Sequence, residues 1–450
     1  MALDQRIRNW LGSISDTFEP LAPLEKKRPY DDAPSVLQKR CRTDSPTREV
    51  SSNQDSQLRQ LGAKRQRTLL NYNYGVTPQA VSGERAVSAP SFPRPYSPDL
   101  SPNACTQIDY FSLHVPPNSL PPSLQLFMNK VNEICRGDGI LLNSDRKFIK
   151  DTRGTEEYKD WGWARGPQGE RYFHADRELL GMTPPPNVVS RILYQAQFCH
   201  VSGASQADWN IEVIQRILEA SLRPSVGPAC SQPIDFRSST TATVIPEYDT
   251  DSLHPRQTQF SIYIEPACDP DSRISRQVHN FCQSLPCGTF NHLDLPTLRA
   301  RPIAFSIETL QDNTVGYPGL RKGASMLPHW KFLDDLLASR DQAYQARRKW
   351  EWQNDPESHA KSEALARAVG IPEFLPGIVI QGHKWHLVIA IPKGGKMAFC
   401  EKISFGNTAS SKGIYQIICV LQLLKHWVRE FYWPWLRRLL LNWPRPPGGR

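Results

Sequence analysis

Residues 290–310 read FNHLDLPTLRARPIAFSIETL, and the end of that stretch decides the fold. From Pro302 onward Ile303, Phe305, Ile307 and Thr309 alternate with Ala304, Ser306, Glu308 and Leu310, the period of two that makes a β-strand. Glu308 therefore stands near the end of an apolar strand with Ala304 and Ser306, both small, on its own face. A buried or half-buried carboxylate must be paired, hydrogen-bonded or metal-bound, which makes Glu308 a candidate site residue. The plainer alternative is a Glu on an edge strand, facing solvent.

A second alternating strand precedes it from Gln257 to Glu265, with Thr258, Phe260, Ile262 and Ile264 on one side and Gln259, Ser261 and Tyr263 on the other. Helical spacing predicts helices from Pro121 (Leu124, Phe127, Met128, Val131, Ile134), over Val188 to Cys199, and over Ser205 to Leu222. The aromatic, charged region from Tyr158 to Arg177 has no clear period. After the central strand a polar loop leads to Gly323, then a charged helical stretch from Met326 to Val369, interrupted near Asp355-Pro356. Strands Gly377 to Gln381, Trp385 to Ile391 and Met397 to Ile403 read as an antiparallel meander. His383 and His386 then fall on opposite faces, a structural spacing rather than a zinc motif. A last helix starts at Ser410-Ser411 and runs through Ile414, Leu421, Leu424 and Phe431 to Leu439, with Pro434 expected to kink or restart it. Arg437 and Arg438 read as a solvated basic end or as phosphate contacts.

The run RPIAFSIET, preceded by NHLDLPTLR, resembles the motif segment of a fungal family of PD-(D/E)XK nuclease-like proteins, where this strand reads roughly IAVSIETKR. LPGIVIQGHKWHLVIA and GIYQIICVLQLLKHWVREFYWPWLRRLLL are similar to that family's C-terminal half, and QADWNIEV and FSIYIEP match more loosely. The resemblance implies an α/β, restriction-endonuclease-like core, a mixed sheet flanked by helices. In such nucleases an Asp and a Glu on adjacent strands hold Mg²⁺, and a Lys two residues beyond the Glu shares its face and reaches the scissile phosphate. On this chain the Asp position carries Gln259 and the Lys position Leu310. A Glu that the family often has in its first core helix falls at Gln206. Gln is neutral, and an isobutyl side chain neither donates a hydrogen bond nor offsets phosphate charge. Of the expected set only Glu308 remains, the one candidate metal ligand, and no spacing argument brings in Lys322. Two functions follow as expectations. One is a catalytically degenerate nuclease fold acting as a nuclear binding, scaffolding or regulatory module. The other is an active Mg²⁺-dependent nuclease of DNA or RNA with migrated ligands.

The rest of the chain reads as an arm, a body and a tail: residues 1–120, 121–443 and 444–450. Pro and Ser concentrate in the arm, a composition expected to be disordered. Its basic clusters, Lys26, Lys27 and Arg28 followed about ten residues later by Lys39, Arg40 and Arg42, have the spacing of a bipartite nuclear import signal, so an import receptor is one expected partner. Lys64, Arg65 and Arg67 form a further cluster. Ile7, Trp10 and Leu11 read as a short docking helix or as plain tail. The net charge is +9, but residues 1–100 carry 15 Lys+Arg against 11 Asp+Glu and residues 425–450 carry 6 against 1, which leaves 33 of each sign in residues 101–424. A neutral body limits the electrostatic case for nucleic acid to a local patch. No apolar run reaches the ~18 residues of a membrane span, so the expectation is a soluble, non-membrane protein of the nucleus or otherwise the cytoplasm. Ten Cys without a CxxC pair indicate neither a zinc ribbon nor a disulfide framework.

Overall fold

Strands β5 (Leu375–Gln381) and β6 (Lys384–Lys393) fold back on each other through a two-residue turn. Gly382 makes that turn at φ 55°, in the left-handed region that suits glycine. In the computed structural model residues 108–111, 120–151, 160–223, 232–249, 258–310, 326–354, 371–393, 396–400 and 403–444 are described, all within one compact unit. The import clusters, Lys322 and the end of the chain from residue 445 lie outside them.

Six more strands complete the sheet: β1 (Ile108–Phe111), β2 (Ile234–Ser238), β3 (Thr258–Ile264), β4 (Ile303–Leu310), β7 (Lys396–Cys400) and β8 (Ile403–Asn407). The order is β1-β7-β6-β5-β4-β3-β2, with β8 also on β6. Pairs β1–β7 and β4–β5 are parallel and the others antiparallel, so the sheet is mixed, as expected. Strand β4 lies between β3 and β5, which excludes the edge-strand alternative for Glu308.

Two strand expectations need correction. The run expected as one strand from Met397 to Ile403 is two, β7 on the far half of β6 and β8 on the near half. Ile108–Phe111, inside the span assigned to the arm, is an edge strand, because its backbone pairs in parallel with the otherwise unpaired side of β7.

Helices cover the sheet. They are α1 (Pro122–Arg136), α2 (Pro186–Val201), α3 (residues 206–222), α4 (Ser272–Ser284), α5 (Met326–Asn354), α6 (Ser411–Trp427) and α7 (Trp433–Leu441). The start of α6 is fixed as its sequence suggests, by the Ser410 hydroxyl accepting from the Gly413 N–H. Gly413 is obligatory, since a Cβ there would fall 2.2 Å from the Asn407 carbonyl oxygen. That absence of a side chain lets α6 lie against β8. Almost every residue from Ser411 to Leu424 is buried, the pattern of a helix surrounded on all sides. Its two buried amides are therefore satisfied: Gln416 Nε2 donates to the Ile134 and Cys135 carbonyls, and Gln422 donates to Met182 O while accepting from Arg177. Pro434 is accommodated by a π turn, Val428–Tyr432, which joins α6 to α7 without breaking the helix.

The stretch from Tyr158 to Arg177, without a clear period in sequence, is built from residue 160 on of short turns. Trp161 and Trp163 pack there edge-to-face on Tyr415. Arg437 is not a free basic group, for it pairs with Asp269 at 3.2 Å. Cys135, Cys199, Cys268, Cys282, Cys287 and Cys419 are free thiols. No helix among the described residues is long and apolar enough to cross a membrane.

Candidate functional site

The site is assembled where the antiparallel pair β3–β4 meets the first turns of α3. Thr258 stands opposite Glu308 and Phe260 opposite Ile307, so Gln259 is an extra residue, a β-bulge. A bulge leaves one residue of a strand without a partner, and here Gln259 is that residue, between the pairs Thr258–Glu308 and Phe260–Ile307. The bulged peptide is held from the other side: the Gln259 carbonyl accepts from the Ser239 N–H at 2.9 Å, just past the end of β2. Gln259 and Glu308, proposed as neighbours from sequence, do lie on paired strands, with 3% and 9% of their surfaces exposed.

Helix α3 begins at a capping box. Ser205 accepts from the Asp208 N–H, and the Asp208 carboxylate accepts from the Ser205 N–H. One turn on, Asn210–Ile214 is a π turn, a widening of the helix that is often found at functional positions. It sets Asn210 facing β3. Gln206 Nε2 donates to Asn210 Oδ1 at 2.9 Å, and Asn210 Nδ2 donates to Gln259 Oε1 at 2.8 Å. The positions read from sequence as Gln206 and Gln259 are thus joined in one amide relay, with Asn210 as the middle member.

Asn210 carried no sequence signal beyond its place in the Trp-Asn pair. Its role depends on the π turn, which a 3.6-residue reading does not anticipate. Position 310 is two residues beyond Glu308, and its backbone pairs with Gln381 at the end of β5. The hairpin that follows carries His383, whose Nδ1 lies 2.8 Å from the Thr408 hydroxyl. Its ring meets Trp209 edge-on at 5.2 Å and His200 at 4.8 Å. Burial first, and the neighbouring His200 second, push the His383 pKa below the ordinary histidine value. The β5–β6 turn is thus packed on α2 and on Trp209, the residue that precedes Asn210 of the relay.

A family model for the PD-(D/E)XK nuclease superfamily matches residues 150–433. The chain belongs to that superfamily. No significant match was found among curated proteins or among solved structures. The matched span contains α2, α3 and strands β2 to β8, with both site strands.

Nucleases of the superfamily use a divalent metal, and Mg²⁺ demands hard anionic oxygens in an octahedral shell. Gln206, Asn210 and Gln259 are neutral amides, and the oxygens of Asn210 and Gln259 already accept hydrogen bonds within the relay. Among the described residues no group of three or more His, Cys, Asp or Glu is placed to hold a metal ion. The described donors do not fit the ion.

The relay makes a stability prediction. Replacing Asn210, 7% exposed, by Leu leaves the Gln206 and Gln259 amides without their shared partner and should cost about 2 kcal/mol. In a double-mutant cycle by urea unfolding, Asn210→Leu with Gln259→Leu should cost less than the two changes summed. Additive losses would mean that the two amides do not act together.

Proposed function

We propose that the chain is a nuclease-fold protein that does not cleave phosphodiesters and works as a nuclear binding or scaffolding module. One observation carries this reading: where the superfamily's metal needs a carboxylate beside Glu308, Gln259 is engaged in an amide relay with Asn210 and Gln206. An amide so engaged offers no negative charge to a cation, and the fold by itself does not imply the activity. The neutral charge of residues 101–424 supports the same reading, since it provides no general attraction for phosphate. The competing reading, an active Mg²⁺-dependent nuclease acting on DNA or RNA, is favoured by the retention of Glu308, buried on the central strand.

The purified 450-residue chain should release no fragments from single- or double-stranded DNA or from RNA in Mg²⁺ or Mn²⁺ above the level of the Glu308→Ala variant. Cleavage that disappears both in Glu308→Ala and with chelator would establish the active-nuclease reading instead. The nuclear assignment rests on the basic clusters of the sequence. A fluorescent fusion of residues 1–70 should accumulate in the nucleus and lose that accumulation when Lys26, Lys27, Lys39 and Arg40 become Ala. A fusion that stays cytoplasmic, or that ignores those changes, removes the nuclear part of the proposal and leaves the rest.

A further inference from the structure

His200 and His383 are far apart in the chain and neighbours in the fold. His200 stands exposed in the last turn of α2, and His383 is the half-buried residue after Gly382 in the β5–β6 turn. Their ring centroids lie 4.8 Å apart with the planes at 57°. Aromatic rings can meet in this way by packing alone, but the His383 ring is also held by a polar clamp. Its Nδ1 lies 2.8 Å from the Thr408 hydroxyl, and the Thr408 N–H donates to the His383 carbonyl at 3.0 Å. Thr408 is fully buried, and Trp209 closes edge-on against the same ring at 5.2 Å.

We propose that His200 and His383 together bind one zinc ion, which fastens the β5–β6 turn to the end of α2. Two imidazoles bound through nitrogen to one ion at about 2.0–2.1 Å, with roughly 90–110° between the bonds, set their ring centroids about 4.5–5.2 Å apart. The observed 4.8 Å falls inside that interval. A histidine that ligates a metal through one nitrogen almost always donates the N–H of the other to an oxygen, which fixes both the tautomer and the ring. The Thr408 hydroxyl is placed to accept from Nδ1, and that arrangement leaves the lone pair of His383 on Nε2. His200, exposed, can turn a nitrogen toward the same point.

The donors select the ion. Both are imidazoles, which suit Zn²⁺ and not Mg²⁺ or Ca²⁺, since those two require oxygen ligands. Among the described residues no group of three or more His, Cys, Asp or Glu is placed to hold a metal, so water completes the tetrahedron and the site binds more weakly than one with three or four protein ligands. The carbonyls that end α2 carry partial negative charge, which favours a cation beside His200. Because Trp209 precedes Asn210, the ion would stiffen the flank of the amide relay. The inference is independent of whether the fold cleaves phosphodiesters, since it uses none of Gln206, Asn210, Gln259 or Glu308.

The test is calorimetric titration of the metal-stripped 450-residue chain with ZnCl₂ at neutral pH, followed by zinc K-edge absorption of the complex. One ion per chain should bind, with two imidazole ligands and no sulfur in the absorption spectrum, and excess MgCl₂ should leave that binding unchanged. His200→Ala and His383→Gln should each weaken it at least about tenfold, and Thr408→Val, which removes the acceptor for Nδ1–H, by about tenfold or more. His200→Ala removes an exposed side chain and leaves the core intact, so its result stands even if the other two variants fold poorly. No zinc binding, binding that His200→Ala leaves unaltered, or a spectrum with sulfur ligands would each overturn the proposal.

Discussion

Changing Gln259 to Asp and Leu310 to Lys in one protein should create metal-dependent cleavage at least about a hundredfold above the wild type. The first change puts a carboxylate at the bulge next to the Thr258–Glu308 pair, which would offer Mg²⁺ a second anionic oxygen on the neighbouring strand. The second places a cation two residues further along the strand, the position from which an ammonium reaches the attacking water or the phosphate. One such electrostatic group is commonly worth about 3 kcal/mol of transition-state stabilisation, which sets the hundredfold scale. Neither change alone should suffice, because metal without the Lys binds and acts slowly. A new Lys without a phosphate partner is costly to bury, so thermal melts must first show that the variant folds. Adding Glu308→Ala to the double variant should abolish the gain. A folded double variant that neither binds metal nor cleaves contradicts the assignment of positions 259, 308 and 310 to one site.

Acid should weaken the fold through two histidines that the site does not use. His292 and His329 stack with ring centroids 4.8 Å apart and are 1% and 5% exposed. His329 Nε2 lies 3.2 Å from the Tyr432 hydroxyl, which donates to the Ile303 carbonyl at the start of β4. Neither ring nitrogen of His292 has a hydrogen-bond partner among the described residues. Burial depresses the pKa of His329 to about 4, and burial together with the adjacent His329 holds His292 well below its ordinary value. Both rings are thus neutral when folded, whereas the unfolded chain takes up protons near pH 6.5. Stability is full above that pH and falls as pH drops from about 6.5 toward 4, by roughly 2 kcal/mol at pH 5 for His329 alone. The loss from His292 has the same sign. Urea unfolding at pH 7 and pH 5 should show this loss, and His329→Gln, whatever its cost at pH 7, should make it smaller. An equal pH dependence in the variant would assign the acid sensitivity elsewhere.

How much of this was legible in the sequence depends on how local the determining contacts are. The alternation of Ile303 to Leu310 and the apolar spacing of α1, α2 and α6 are local, and they announce their elements directly. Whether Glu308 faces solvent or interior is not local, because it is decided by β3 and β5 closing on either side of β4. The bulge at Gln259 is likewise a property of a strand pair, and the same seven residues read as a plain alternating strand when considered alone. Asn210 is hidden for a third reason: a π turn shifts the facing of side chains without any change in composition. Ile108–Phe111 is too short to stand out from its Pro- and Ser-rich surroundings and becomes a strand only through β7. The turns from residue 160 to Arg177 carry no period to be read. Sequence therefore offered Gln206 and Gln259 as candidate positions, while their link through Asn210 required the packing of α3 on β3.

The central claim is that Gln259, engaged in the amide relay, brings no second carboxylate to the Glu308 strand pair for a divalent metal, and the metal itself tests it most directly. Crystals of the wild-type protein soaked in Mn²⁺ should show no anomalous scattering peak within coordination distance of the Glu308 carboxylate, whereas crystals of Gln259→Asp should show one between the two carboxylates. A peak on Glu308 in the wild type would contradict the account.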